Sequence, residues 1–429
     1  MPSALRRVAI IGSARIPFAR SNTAYGQLGN MEMLTAAMTA LVGRYDLQGE
    51  ILGEVAAGAV IKHSRDWNLA REAALGSGLD SHTPAYDVQR ACGTSLTTVI
   101  QLAHRIALGE VDSAIAGGAD TASDVPVVYG RKLRQIALES ARGRSFGQRL
   151  KPWLRLRPRD LRPSVPGVAE PRTGLSMGEH CELMAKEWGI GRAEQDELAY
   201  ASHVRAATAW TEGFYDDLVV PFAGLTADNN VRPDTSLEKL ATLKPVFDRS
   251  STGTLTAGNS TPLTDGAACV LLGSEEWAKS RGLPIQAYVS YSAVAAVDFA
   301  GLDGPREGLL MAPTYAVPKM LDRARMTLQD FDVYEIHEAF AAQVLCTLKA
   351  WSSEEYCRTR LGLTAPLGSI DRAKLNPKGG SVALGHPFAA TGARIVATLA
   401  KQLEKRGSGR GLISICTAGG MGVTAILER

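Results

Sequence analysis

Residues Gly411–Gly422 read GLISICTAGGMG. The short apolar run Leu412–Ile415 suits a buried strand, and it delivers Cys416 into a glycine-rich turn where backbone can approach a ligand closely. Two other stretches share this build. Val88–Thr94 reads VQRACGT and places Cys92 before a tight Gly-Thr helix start; Asn376–Gly392 reads NPKGGSVALGHPFAATG and carries His386. Cysteine and histidine set among glycines, three times in one chain, is a pattern that close backbone approach to a reacting group would require.

Composition bounds what surrounds these stretches. The chain has 429 residues, is 45% hydrophobic and carries a net charge of +3. That length exceeds one compact core, so two or three domains are expected. Neither charge nor composition suggests disorder or nucleic acid as a partner. No run approaches the roughly 18 apolar residues of a membrane-spanning helix. The start, MPSALRRVAIIGSARIPF, breaks at Gly12, too early for a secretory core, and reads as a first strand. Six cysteines are scattered without a CxxC pair, which argues against a disulfide scaffold or a cysteine-rich zinc site and suits a reducing, cytoplasmic setting.

Taken in order, the chain reads as α/β. Val8–Ile11 predicts a strand, Leu28–Val42 a helix, Ile51–Val60 a strand, Trp67–Leu75 a helix, and Ala85–Val88 an extended run leading to Cys92. A helix is expected from Gly93 to Ala107, then a strand at Ser113–Ala116. The same grammar returns late: a helix opened by His386 and running to Glu404, then the strand Leu412–Ile415. The order hints at a duplicated unit, although any α/β chain alternates in this way. Between the copies, Gly130–Pro163 holds eleven basic and two acidic residues. It is followed by turn-rich text with Pro166 and Pro171 and by helices at Ser176–Trp188 and Glu194–Thr211, with Thr173 or Ser176 as cap. Val219–Phe222 reads as extended and Thr226–Pro245 as loop. Residues 125–249 are therefore taken as an insertion covering a core formed by 1–124 with 250–283 and by 284–429.

The chemistry-bearing residues sit at element junctions. A thiol at position 92 meets free N–H groups and the positive end of a helix dipole, which would lower its pKa; otherwise it is a packed core residue. Cys416 precedes Ala418-Gly419-Gly420, whose N–H groups can face an oxyanion while the thiol serves as acid and base. His386, between Gly385 and Pro387, is expected at a rigid helix mouth, where it can accept a cysteine proton. His337 follows the Tyr334–Ile336 run. Its HEAF sequence is not HExxH, since position 341 is alanine, so no zincin metal site is expected and no metal is assigned. Cys181, Cys269, Cys346 and Cys357 receive no role. The chain also lacks a P-loop, a G-x-G-x-x-G fingerprint and a G-x-S-x-G elbow.

Together these stretches resemble the thiolase family. The carrying pieces are ACGTS around Cys92, TAGNSTPLTDGAA at Thr256–Ala268, EIHEAFAAQ at Glu335–Gln343, NPKGGSVALGHPFAATGAR at Asn376–Arg394 and CTAGGMG at Cys416–Gly422. The resemblance runs nearly end to end. It implies two similar layered α/β core domains with an inserted covering loop domain. It implies 3-ketoacyl-CoA thiolysis, with acetoacetyl-CoA synthesis as the reverse alternative; a non-catalytic acyl-CoA-binding protein is the reading from another class. It further implies Cys92 as nucleophile, His386 as its base and an oxyanion donor, and Cys416 as general acid and base. His337 would position an oxyanion-hole water, and the N–H groups of Cys92 and Ala418 would form a second hole. Coenzyme A enters as co-substrate with no permanently bound cofactor, and Ala257, Gly258, Thr261 and Met177 fall at CoA-contacting positions. A histidine at 337, where many members carry asparagine, resembles the β-subunit branch of the fatty-acid oxidation complexes. That branch implies a homodimer or homotetramer with a companion hydratase and 3-hydroxyacyl-CoA dehydrogenase subunit. Ser176 stands where a histidine is usual before Met-Gly, and Ala418 where glycine is commoner. The basic stretch 131–162 reads as a solvated face, a CoA-phosphate contact, a docking site or, through Trp153, a peripheral membrane contact. Trp153, Leu154, Leu156, Leu161 and Val165 are expected either to line an acyl tunnel or to pack the insertion.

Overall fold

The computed structural model describes residues 5–165 and 167–429. The first four residues of the chain's basic start and Pro166 of the turn-rich stretch lie outside the described residues.

Nine strands hydrogen-bond in the order Val333–Ile336, Arg410–Thr417, Met421–Glu428, Ala287–Ala296, Val8–Arg15, Thr264–Ser274, Ser113–Asp120, Glu54–Ala57, Ala85–Asp87. The short segment Ala19–Arg20 pairs beside Thr264 and Asp265. The sheet contains one unit twice. Glu54–Ala57 runs parallel to Ser113–Asp120, which pairs antiparallel with Thr264–Ser274, and that with Val8–Arg15. In the second half Val333–Ile336 runs parallel to Arg410–Thr417, which pairs antiparallel with Met421–Glu428, and that with Ala287–Ala296. The halves join where Val8 faces Val289 and Ile10 faces Ala287. The expected repeat is therefore present in the strand pairing.

Each parallel step needs a crossover, and in each half it carries a helix: Thr94–Leu108 in one, Thr391–Arg406 in the other. These helices lie together against one face of the sheet. Leu96, Val99, Ile395, Val396 and Leu399 pack with Ile10, Val270, Leu272, Ile413 and Ile415. The alternate strand residues, among them Ala9, Ile11, Cys269 and Leu271, face outer helices that include Asn30–Arg44. Strands covered on both faces read as continuous apolar runs, which is why Val8–Ile11 and Leu412–Ile415 were legible. The two central helices touch so closely that a Cβ on Gly392 would come within 2.3 Å of the Leu96 nitrogen.

The insertion has a definite topological address. In the second half the antiparallel strands Arg410–Thr417 and Met421–Glu428 are joined by the three-residue turn 418–420. The corresponding strands of the first half, Ser113–Asp120 and Thr264–Ser274, are separated by residues 121–263. That long connection covers the second half. Tyr215 donates to the Lys378 carbonyl at 2.7 Å and Ser202 donates to Glu338 at 2.8 Å, while Glu182 ties the connection to itself by accepting from the backbone of Thr254 and Leu255. Its helix Met177–Glu187 is capped as its sequence suggests, by Ser176, whose hydroxyl accepts from the Glu179 N–H while Glu179 accepts from the Ser176 N–H.

Several expectations are corrected. The strand expected at Ser113–Ala116 runs on to Asp120 through Gly117 and Gly118, where it passes too close to Ala268, Cys269 and Ala389 for side chains. The loop expected at 226–245 contains a short helix, Leu237–Ala241, capped by Ser236. Pro387 does not open the long helix; a 3-10 turn, Phe388–Ala390, intervenes before Thr391. The stretch 130–163, whose fold periodicity left unread, forms the helix Arg131–Arg142 and three shorter turns. That helix buries Leu133 and Ile136 and pairs Lys132 with Asp160. Leu154, Leu161 and Val165 face solvent, and the Trp153 indole donates to Ser140 at 2.8 Å, so these residues do not line an acyl tunnel.

Candidate active site

Cys92 reaches the site through a strained turn. Ala91 adopts φ +43, a left-handed value that non-glycine residues rarely hold, and the Gly93 N–H donates back to the Arg90 carbonyl at 2.9 Å. The turn ends where Thr94 begins the first central helix. His386 occupies the matching place ahead of the second central helix. Gly385, at φ +103, supplies the turn, and the His386 N–H donates to Thr264 at 2.8 Å. The duplicated unit thus presents a thiol in one copy and an imidazole in the other, and the packed helices bring them together. His386 Nε2 lies 3.1 Å from Cys92 Sγ, while His386 Nδ1 lies 2.6 Å from Thr391 Oγ1. If Nδ1–H donates to Thr391, the Nε2 lone pair is free to accept from the thiol.

Cys416 is the penultimate residue of the strand Arg410–Thr417 and is buried. The following turn requires its glycines: Gly419 and Gly420 hold φ +77 and +68, and a Cβ on Gly420 would come within 2.6 Å of Phe299. Cys92, His386, Cys416 and Ala418 line one cavity of about 290 Å³, together with Met177, Thr261 and the apolar Val168, Phe247, Leu263, Leu310, Phe340 and Phe388. The Thr261 hydroxyl donates to the Ala339 carbonyl at 3.1 Å, which leaves its oxygen able to accept. Ala257 and Gly258 do not line this cavity; Gly258 packs against Leu240 and Leu243.

His337 is wholly buried beside the strand end Val333–Ile336, its ring 4.2 Å from that of His386. Asn376 secures this junction, accepting from the Ile336 N–H and donating to the Ile336 carbonyl and to Glu338. Cys92, His337 and His386 each place a possible ligand atom within 4.8 Å of the others. Cys181, Cys269, Cys346 and Cys357 are buried and are not among the residues that line this cavity.

Burial sets the protonation of the free site. It pushes the Cys92 thiol up to about 12, although the N–H groups of Ala418 and of Cys92 itself pull the other way. This reverses the expectation of a lowered thiol pKa: desolvation outweighs the helix start. Burial raises the Cys416 thiol as well, with the neighbouring Cys92 adding to it. It pulls His386 down to about 3 and His337 well below the usual imidazole range, with Arg394 contributing to both. Both shifts favour a neutral thiol beside a neutral imidazole.

Three groups at the site escaped sequence reading. Glu170, from the insertion, accepts from the Gly419 N–H at 2.6 Å. Ser381 and Arg394 lie within the quoted Asn376–Arg394 stretch, and Ser381 Oγ stands 2.8 Å from His337 Nδ1. Nothing in periodicity marks Glu170, and Ser381 and Arg394 carry no signal of their own beside the histidine of that stretch.

The sequence matches the N-terminal domain of thiolase over residues 8–276 and the C-terminal domain of thiolase over residues 288–429. It is 43% identical over 428 residues, 98% of this chain and 97% of the relative, to proteins named 3-ketoacyl-CoA thiolase from Yersinia pestis (strain Pestoides F) and from Yersinia pseudotuberculosis serotype O:1b (strain IP 31758). Among solved structures, acetyl-CoA acetyltransferase of Bacillus anthracis superposes with a TM-score of 0.82 at 31% identity, over 99% of both chains. Human mitochondrial 3-ketoacyl-CoA thiolase superposes with a TM-score of 0.80 at 27% identity, over 99% of this chain and 100% of the other. With matched domains spanning nearly its whole length and a repeated fold that sets cysteine against histidine, the chain belongs to the thiolase family.

Proposed function

We propose that this protein is a 3-ketoacyl-CoA thiolase of fatty-acid β-oxidation. The observation that carries the reading is the convergence of Cys92, His386 and Cys416 on one apolar cavity, with His386 Nε2 3.1 Å from the Cys92 sulfur. The Cys92 sulfur attacks the keto carbon of a 3-oxoacyl-CoA as its proton passes to His386. The bond between the α-carbon and the former keto carbon then breaks, leaving an acyl thioester on Cys92 and the enolate of acetyl-CoA. Cys416 gives its proton to that carbanion. The resulting thiolate takes the proton of an incoming CoA thiol, which attacks the acyl-enzyme and releases the shortened acyl-CoA; His386 returns the proton to Cys92. His386 and a water positioned by His337 serve one oxyanion, and the N–H groups of Cys92 and Ala418 serve the other. Each such donor is worth about 3 kcal/mol in the transition state. CoA is co-substrate, with Met177 and Thr261 at the cavity wall supporting contact there more directly than Ala257 and Gly258.

The proposal includes a domain division at 124, 249 and 283. Its support is the sheet repeat and the two matched family domains, which meet between residues 276 and 288. It also includes a cytoplasmic homo-oligomer with CoA thioesters as ligands and a companion oxidation subunit as partner. No helix among the described residues is long and apolar enough to cross a membrane. A second reading, synthesis of acetoacetyl-CoA, uses the same groups and draws support from the likeness to the Bacillus anthracis acetyltransferase. The test is Cys92→Ala assayed for thiolysis of acetoacetyl-CoA, with mass spectrometry of the wild type after mixing with acetyl-CoA. Turnover retained by the variant would sink the nucleophile assignment. Tight binding without an acetyl adduct on Cys92 would favour a binding protein over an enzyme.

A further inference from the structure

His337 Nδ1 lies 2.8 Å from Ser381 Oγ, and the same oxygen lies 2.6 Å from Arg394 Nη2. Ser381 and Arg394 are both buried, at 0% and 1% exposure. Arginine only donates, so its contact uses a lone pair of the serine oxygen. Serine has one proton to give, and among the described residues the one acceptor bonded to its hydroxyl is His337 Nδ1. If Nδ1 carried the proton instead, Ser381 would receive two donors and its own hydroxyl would be left buried without an acceptor, which is costly. A doubly protonated ring is opposed by burial, by His386 4.2 Å away and by the Arg394 charge. The guanidinium is itself held from behind: Glu335, which accepts from Gln402 at 2.8 Å, sits 3.9 Å from Arg394 Nη1. On the other side of the ring, His337 Nε2 is buried and has no partner among the described residues.

We propose that Ser381 and Arg394 are positioning residues that hold His337 as the neutral tautomer with its proton on Nε2, so that an N–H donor faces the reacting centre. The relay explains why a fully buried histidine has one nitrogen bonded to a serine that an arginine holds in place, and the other left open. It also gives the Cys92–His337–His386 cluster a definite character. A cation entering it would need the Nε2 lone pair, which this tautomer removes; an oxyanion, or a water serving one, needs the N–H it provides. The inference rests on the thiolase reading for its catalytic meaning and on hydrogen-bond chemistry alone for the proton position.

Neutron diffraction from crystals of the deuterated wild-type protein reads the proton directly. Deuterium on His337 Nε2, with the Ser381 hydroxyl directed at Nδ1, is the expected result, and deuterium on Nδ1 would overturn the proposal whatever the enzyme's activity. Ser381→Ala is nearly isosteric. It is expected to lower kcat about 10- to 100-fold, less than or equal to the loss of a whole oxyanion donor, with KM for the acyl-CoA within about twofold. Ser381→Thr keeps the hydroxyl and is expected to recover most of kcat. A Ser381→Ala enzyme with wild-type kcat would end the positioning role. An inactive wild type that nonetheless shows deuterium on Nε2 would sink the functional reading and leave the tautomer assignment standing.

Discussion

Glu170 ties the insertion to the turn behind Cys416, and removing it tests whether that turn must be clamped. The carboxylate is 7% exposed and accepts from the Gly419 N–H at 2.6 Å, one residue beyond Ala418. Its own loop is fixed: the Glu170 N–H donates to the Leu175 carbonyl and the Gly174 N–H to the Glu170 carbonyl, each at 2.8 Å. A charge-assisted bond of this kind contributes about 1.5–3 kcal/mol. Glu170→Ala forfeits that and leaves the Gly419 N–H without its acceptor. Glycines at 419 and 420 have no side chain to hold the turn, so the peptide at Ala418 gains freedom and its N–H no longer points steadily at the Cys92 sulfur. Full loss of one oxyanion donor costs about 10²–10³ in kcat. A loosened donor should cost less, so a fall of about 10- to 50-fold is expected, with KM for the acyl-CoA nearly unchanged. Glu170→Gln keeps an acceptor oxygen and should lose less than about fivefold. The assay is steady-state thiolysis of acetoacetyl-CoA, with circular dichroism melts to separate unfolding from misalignment. Wild-type kcat in a folded Glu170→Ala enzyme would refute the clamp. A raised KM with unchanged kcat would move Glu170 from turn support to substrate binding.

In the free enzyme, burial pushes the Cys92 thiol up to about 12 and pulls the His386 imidazole down to about 3, which disfavours a standing thiolate–imidazolium pair. Iodoacetamide labelling of Cys92, read by peptide mass spectrometry, should therefore rise about tenfold per pH unit from pH 7 to 10; a plateau below pH 9 would contradict this. The apolar cavity wall of Phe247, Leu263, Leu310 and Phe340 predicts kcat/KM rising with acyl length, by about fourfold per methylene while each is fully buried. A sharp maximum at four carbons would promote the synthetic reading instead. Neutralising Arg155, Arg157 and Arg159 together should leave KM for CoA within about twofold, since none of them lines the cavity and Arg155 is paired with Glu139. A clear rise would restore phosphate contact.

What the sequence disclosed, and what it withheld, follows from where each signal is stored. Leu412–Ile415 and the helix after Gly93 were legible because burial on both faces writes itself into local composition. Cys92, Cys416 and His386 stood out as candidates because reactive residue types among glycines are rare and sit at element junctions, and His337 because it follows the run Tyr334–Ile336. Their electrostatics were not legible: a helix start is local and visible, whereas the desolvation that lifts the Cys92 thiol comes from walls contributed by segments hundreds of residues apart. The insertion's helix Arg131–Arg142 hid because only Leu133 and Ile136 are buried, too few to set a period. Glu170 hid for a related reason, being one acidic residue in a loop whose partner at Gly419 is supplied by the opposite end of the chain.

The repeat explains why those distant contacts converge. Each copy ends its parallel crossover at a helix mouth, and packing the two helices side by side sets His386 against Cys92. The antiparallel strands that follow each helix are joined by a three-residue turn in one copy and by residues 121–263 in the other. The short connection presents Ala418 to the cavity, beside Cys416 of the strand that leads into it. The long one folds back over the second half, and through Glu170 it grips that short turn. The position at which the first copy was opened is thus the counterpart of the position at which the second carries chemistry. An insertion placed there can cover the site and also support it. That gives the Glu170 experiment its wider meaning: loss of kcat would make the cover part of the catalytic geometry, whereas loss of substrate affinity alone would leave it a lid.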